Sequence, residues 1–327
     1  MTGWLVALNK AWDTLAESAP VSRQYRSKLI STEFPLDILA AMRATDNAPC
    51  LMLQTELSPD ALFELGGMRL SFVPDATGIF LVLSLEDSSR RDLFATICAD
   101  VVSAAALANR NDALDQFLAR LDAWRQFLRD RRDGLSKPET VGLIGELIIL
   151  DQILISHANG LSTWQAPNDG LHDFVDEGHA LEIKTGLGPS STITISALDQ
   201  LDASGLSRLD LMHVRLIETP EGKPLQDFIS DVSARLPNDT GRRAFENALL
   251  SRGLMPDDDV ARAVPRVQLR AIESYQVQEN FPRLIRANLP VAITDATYSL
   301  EVRAIAGFAT DTAFVLKAFV QGTRHDR

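Results

Sequence analysis

Four residues between 146 and 184 carry the types and spacings that metal-assisted hydrolysis needs. In LHDFVDEGHALEIKTG (residues 171–186) one acid, Asp173, precedes a short turn and another, Glu182, follows it. Lys184 lies two residues after the second acid. A hairpin loop centred on Glu177-Gly178 places Asp173 directly opposite Glu182. Side chains alternate along a strand, so Lys184 shares the face of Glu182, while Leu181 and Ile183 take the other. Like charges facing each other destabilise a hairpin, and a hard cation held between them reverses that penalty. Everything depends on register, because a slip of one residue would separate the acids onto opposite faces.

A third acid precedes the hairpin. Glu146 stands among apolar neighbours in LIGELIIL, where a lone carboxylate is costly unless something compensates it. Two readings are open: a further metal ligand facing the hairpin acids, or a salt bridge to an arginine in the core. Gly142 and Gly145 in the same helix each cost about 1 kcal/mol relative to Ala, which suggests close approach to another backbone. His172 and His179 flank the hairpin without partner cysteines nearby, so a zinc site is not expected. His179 reads as a turn residue, and His172 as pointing to the face opposite Asp173.

The elements that must position these residues are legible on either side. Ser136 and Glu139 form an S-x-x-E capping box with Pro138 in the first turn, and the helix runs on through VGLIGELIILDQILI. After the hairpin come ISALDQLDASGL (195–206) and LDLMHVRLIE (209–218), the latter a buried strand. Residues 226–261 read as mostly helical, with a DDD run at 257–259. VPRVQLRAIESYQV (264–277) and ATYSLEVRAI (296–305) alternate at period two as strands, and FVLKAFV (314–320) suggests a closing helix. Upstream, Trp4, Leu8, Trp12 and Leu15 recur at helical spacing. Three strands, CLMLQTEL, MRLSFVP and IFLVLSL, lead to a helix over 90–107, with PDATG (74–78) turning between the last two. This is an α+β domain without a catalytic constellation, followed by a charged helix over 114–132.

LIGELIIL, HDF, LEIK and the Gln-Leu after ISALD together resemble the PD-(D/E)XK nuclease superfamily. More closely, they resemble a family of PD-(D/E)XK-motif proteins of unknown function found near bacterial restriction and phage-defence genes. The likeness is strongest over residues 138–218, and YQVQENFPRLIRANLPVAITDATYSL extends it towards the C-terminus. The first acid stands in His-Asp instead of the literal Pro-Asp. The resemblance implies an α/β (α+β) fold with a restriction-endonuclease-like core, a mixed sheet flanked by helices. It implies that Asp173 and Glu182 bind Mg²⁺, with Mn²⁺ as a substitute, helped by the main-chain carbonyl of Ile183. Lys184 then orients or activates the attacking water, Glu146 adds a helix carboxylate to the metal, and Gln200 faces the site.

Residues 1–112 are expected to form a recognition or partner-contact domain, 113–225 the nuclease core, and 226–327 a helical and strand segment packing on it. The implied activity is metal-dependent endonucleolytic cleavage of DNA in restriction–modification or phage defence. Duplex DNA is the expected substrate, and a homodimer with two active sites would cut both strands. A methyltransferase or helicase subunit would be a fitting partner. The rival is a non-catalytic subunit that binds DNA or protein on the same scaffold, and the motif does not separate duplex DNA from RNA or flap and end structures.

Whole-chain properties bound these readings. At 327 residues, 46% of them hydrophobic and 23% charged, the chain suits a soluble protein of two or three domains. No apolar run is long enough for a membrane span, the N-terminus lacks an export signal, and two cysteines, Cys50 and Cys98, make no disulfide framework. A cytoplasmic enzyme without membrane contact is the expectation. The net charge of −12 disfavours a non-specific nucleic-acid coat, so any polynucleotide needs a local basic path. The candidates are Arg125, Arg129 and Arg132 on one helical face, Arg266 and Arg270 on one strand face, and Arg283 and Arg286 in FPRLIR.

Overall fold

A computed structural model of the chain describes residues 2–18, 23–55, 62–75, 78–130, 135–168, 170–255 and 264–321. Arg132, the acidic run at 257–259 and part of the turn at 74–78 lie outside them. The chain divides into two compact units, Met1–Asp133 and Gly134–Arg327. The helix expected over 114–132 falls in the first, and the chain after residue 226 falls in the second.

The first unit is an antiparallel sheet with helices. Its strands are β1 (Tyr25–Leu29), β2 (Ile38–Arg43), β3 (Pro49–Gln54), β4 (Phe63–Leu65), β5 (Met68–Asp75) and β6 (Gly78–Leu85), in the order β1-β2-β3-β6-β5-β4. The three expected strands are β3, β5 and β6; β1, β2 and β4 join them by pairing along the sheet. Helix α1 (Thr2–Glu17) buries Leu8, Trp12 and Leu15, and the Trp12 indole donates to the Cys50 carbonyl at 3.0 Å. Helices α2 (Arg91–Ala106) and α3 (Ala113–Asp130) are locked by a buried Asp100, which accepts from Arg120 at 2.6 Å and from Trp124 at 2.7 Å.

The second unit is built on a five-stranded mixed sheet. Its strands are β7 (Phe174–Asp176), β8 (His179–Leu187), β10 (Arg208–Lys223), β11 (Val267–Gln276) and β13 (Ala309–Thr310), in the order β13-β11-β10-β8-β7. Only β8 and β10 run parallel; the other pairs are antiparallel. Helix α4 (Lys137–Ser156) begins at the capping box, with Ser136 and Glu139 bonded reciprocally. With α5 (Leu225–Arg235), α6 (Asp239–Ser251) and α7 (Thr312–Gln321) it covers one face, burying Leu181, Ile183, Met212 and Val214. Across the other face a second core joins Ala180, Leu209, Leu211 and Tyr275 to a two-stranded ladder of β9 (Thr192–Ile195) and β12 (Tyr298–Glu301). The strand expected over 296–305 therefore stops at Glu301, and a 3-10 turn follows over Val302–Phe308.

Helix α4 lies against β8 through one of its two glycines. A Cβ at Gly145 would lie 1.9 Å from the Thr185 hydroxyl, whereas one at Gly142 meets nothing within 4 Å. Close approach accounts for Gly145 alone.

Candidate active site

The hairpin register brings the site together. Phe174 pairs with Leu181, Val175 with Ala180 and Asp176 with His179, and Glu177 and Gly178 turn the corner at φ of 43° and 84°. Positive φ at both central residues matches the twist of a two-residue hairpin, and Glu177 adopts it despite its Cβ. Asp173 lies one step past the last ladder pair. There its main-chain carbonyl accepts from the amides of Gln165 and Ala166, while its carboxylate crosses to β8 and accepts the Ile183 N–H at 2.7 Å. Since a strand residue's N–H and C=O point to the same edge, the Ile183 carbonyl also faces the Asp173 side, beyond the ladder's end.

Glu182 is 2% exposed, and Lys184 on the same face holds its Nζ 2.8 Å from Glu182 Oε1. Lys184 also donates to Gln200 Oε1 at 3.0 Å. That oxygen further accepts the Ser196 amide at 3.0 Å and the Ser196 hydroxyl at 3.1 Å, fixing the turn Leu198–Leu201 over the site. Gln200 is thus brought to Lys184 by the chain that follows β9.

Electrostatics mark the acids as under strain. Withdrawal from water pushes the Asp173 carboxyl well above the usual carboxylate range, and the charges of Glu182 and Glu146 push it further. Burial lifts Glu182 to about 7, against the pull of Lys184 in the other direction.

Glu146 is held differently from the metal-ligand reading. Its carboxylate accepts from Arg252 Nη2 at 2.7 Å, from Arg252 Nε at 3.2 Å and from the Trp164 indole at 3.0 Å. The salt-bridge alternative is the arrangement seen, because a carboxylate that is 4% exposed needs a counter-charge within reach. Neither Arg252 nor Trp164 was legible as its partner: they lie 106 and 18 residues away.

His179 differs from expectation. His179 is the first residue of β8 and is buried, with Nε2 at 2.7 Å from Asp210 Oδ2, and Arg208 bonds the same fully buried carboxylate. His172 is buried, and burial lowers its pKa against the opposing pull of the Gln200 main chain and the Asp202 charge. The chain bends over residues 171–173, so strict strand alternation does not govern where His172 points.

Comparison with known proteins identifies the lineage. Residues 8–303 match the model of a family described as "Putative PD-(D/E)XK family member, (DUF4420)". The chain belongs to this family. No curated protein and no solved structure matches it. The DUF4420 match spans both units, so the N-terminal sheet unit is as much part of the family's chain as the mixed-sheet unit. The mixed sheet flanked by helices agrees with a restriction-endonuclease-like fold.

The residues present can be tested for a metal ion. Among the described residues no group of three or more His, Cys, Asp or Glu is arranged to hold one, so Glu146 does not complete a cage with the hairpin acids. Two carboxylates do suit a hard cation that keeps part of its water shell. Asp173 Oδ1 and Glu182 Oε2 receive no hydrogen bond from the described residues, and both acids are raised by burial, the condition a cation relieves. The donor set fits a divalent ion held by Asp173, Glu182 and the Ile183 carbonyl.

Proposed function

We propose that this protein is a divalent-metal-dependent nuclease that hydrolyses phosphodiester bonds in DNA. The observation that carries the reading is Lys184 Nζ, 2.8 Å from Glu182 and 3.0 Å from Gln200, on the face shared with the buried acids. A bound Mg²⁺ supplies Lewis-acid polarisation of the phosphate and acidifies water. Asp173 and Glu182 fix the ion's position, and the Ile183 N–H locks the Asp173 rotamer. Lys184 orients the attacking water and steadies charge developing on the scissile phosphate. Gln200 aims the ammonium, since its oxygen is itself pinned by Ser196. Arg252 and Trp164 hold the Glu146 carboxylate in place within the helix layer. In this reading the protein acts in the cytoplasm in restriction or phage defence, as a homodimer when both strands are cut.

A second reading is a non-catalytic DNA- or protein-binding subunit. It is favoured by one feature: Lys184 and Arg252 already neutralise two of the three acids within the folded chain.

The deciding experiment is incubation with plasmid, linear duplex, single-stranded DNA and RNA in Mg²⁺, Mn²⁺ or chelator, beside Lys184→Ala. Metal-dependent cutting lost in Lys184→Ala supports the nuclease. Binding without cutting in any metal supports the second reading.

A further inference from the structure

An acidic protein that acts on a polyanion must present its positive charge locally, and most of the candidate arginines are already committed. Arg125 is paired with Asp122 at 2.7 Å, and Arg129 has a partner. Arg266 donates to the Gly222 carbonyl at 2.8 Å, and Arg286 is gripped by Asp199 at 2.9 and 3.0 Å. Arg270 is exposed on β11, on a strand edge with no tether to the catalytic turn.

Arg283 is different. Its guanidinium makes no hydrogen bond or ion pair with any described residue, and its Nη1 is buried without a partner. A buried donor left unpaired costs about 1–3 kcal/mol, and Nε and Nη2, which are not buried with it and which no described residue bonds, are the donors open to an acceptor from outside the chain. Asp202, an acid that senses Arg283, spends Oδ1 on the Ser204 amide and hydroxyl. Asp202 is the residue that follows the turn carrying Gln200, and both Arg283 and the His172 ring act on its charge.

The mount is rigid. Phe281 is buried, the Leu284 amide donates to the Tyr298 hydroxyl at 3.2 Å, and Asn288 Nδ2 donates to the Arg283 carbonyl at 3.0 Å. The same segment is tied to the turn that carries Gln200, through Arg286 to Asp199 and Thr297 to the Ser196 carbonyl. A planar guanidinium held on such a frame suits phosphate oxygens. We propose that Arg283 binds a backbone phosphate of the polynucleotide next to the scissile bond, an inference that rests on the nuclease reading for its substrate. The contact positions the strand and carries no sequence information.

The test is fluorescence anisotropy with a short labelled duplex, in Ca²⁺ and across a salt series, for wild type, Arg283→Gln and Arg283→Lys. Thermal melts of all three run alongside. Arg283→Gln is expected to bind roughly tenfold more weakly, with the log–log salt slope shallower by about 1, while melting like wild type. Arg283→Lys is expected to recover the slope. Unchanged affinity and slope in Arg283→Gln would overturn the inference, as would a large melting loss that Arg283→Lys does not repair. Wild type that binds in an Arg283-dependent way and never cuts leaves the phosphate contact standing and removes the nuclease reading. Wild type that neither binds nor cuts removes both.

Discussion

Arg252 at the C-terminal end of α6 closes on Glu146 in α4, with Nη2 2.7 Å from Oε1 and the Trp164 indole completing the carboxylate's shell. This pair gives the acid that the apolar helix buries its counter-charge.

Breaking the pair from one side strands a charge. Arg252→Ala is expected to lose about 3–5 kcal/mol of stability. Adding Glu146→Gln should restore part of it, because the stranded carboxylate is then neutral. Urea melts of the single and double variants measure this; a double variant no more stable than Arg252→Ala would mean the charge is not the cause.

The two hairpin acids should bind the ion jointly. Asp173→Asn keeps an acceptor for the Ile183 N–H but removes a charge, so Mn²⁺ affinity by titration calorimetry should fall at least tenfold, or about 1.4 kcal/mol. Equal Mn²⁺ affinity in wild type and variant would remove Asp173 from the ligand set.

Stability should depend on pH through Glu182. Its carboxyl is raised from 4.5 to about 7 on folding, so the folded state holds the proton more tightly. The stabilisation this gives is fully present below about 4.5, declines as pH rises towards 7, and is absent above it. In chelator, wild type should therefore lose about 3 kcal/mol relative to Glu182→Gln across that window. Urea melts of both at about pH 5 and about pH 8 give the difference, and a constant offset would contradict the shift. Mg²⁺ should raise wild-type stability at the higher pH and much less at the lower, where protons compete for the same oxygens.

The glycines of α4 should part company. Gly145→Ala forces a methyl towards the Thr185 hydroxyl and is expected to destabilise by about 1–3 kcal/mol. Gly142→Ala meets open space and should stabilise by about 1 kcal/mol. Melting temperatures moving the same way in both variants would count against the close packing of α4 on β8.

By itself the sequence determined the features that depend on neighbours in the chain. The capping box starts α4 where Ser136 and Glu139 say it should, because its bonds span three residues. The Glu177-Gly178 turn sets the hairpin register, and strand alternation then sends Lys184 to the side of Glu182 and Ile183 to the helices. Tertiary structure decided what depends on residues far away. Glu146 is paired with Arg252 because the fold brings the residue that caps α6 to the buried face of α4, which no local pattern encodes. His179 meets Asp210 through the parallel pairing of β8 with β10, and His172 turns to the Gln200 loop where strand geometry has ended. Arg283 and Arg286 stand three residues apart in FPRLIR, and composition makes them equivalent. Among the described residues only the fold gives Arg286 a hydrogen-bonded acid, Asp199, and gives the Arg283 guanidinium none, because a charge is paired by what lies near it in space.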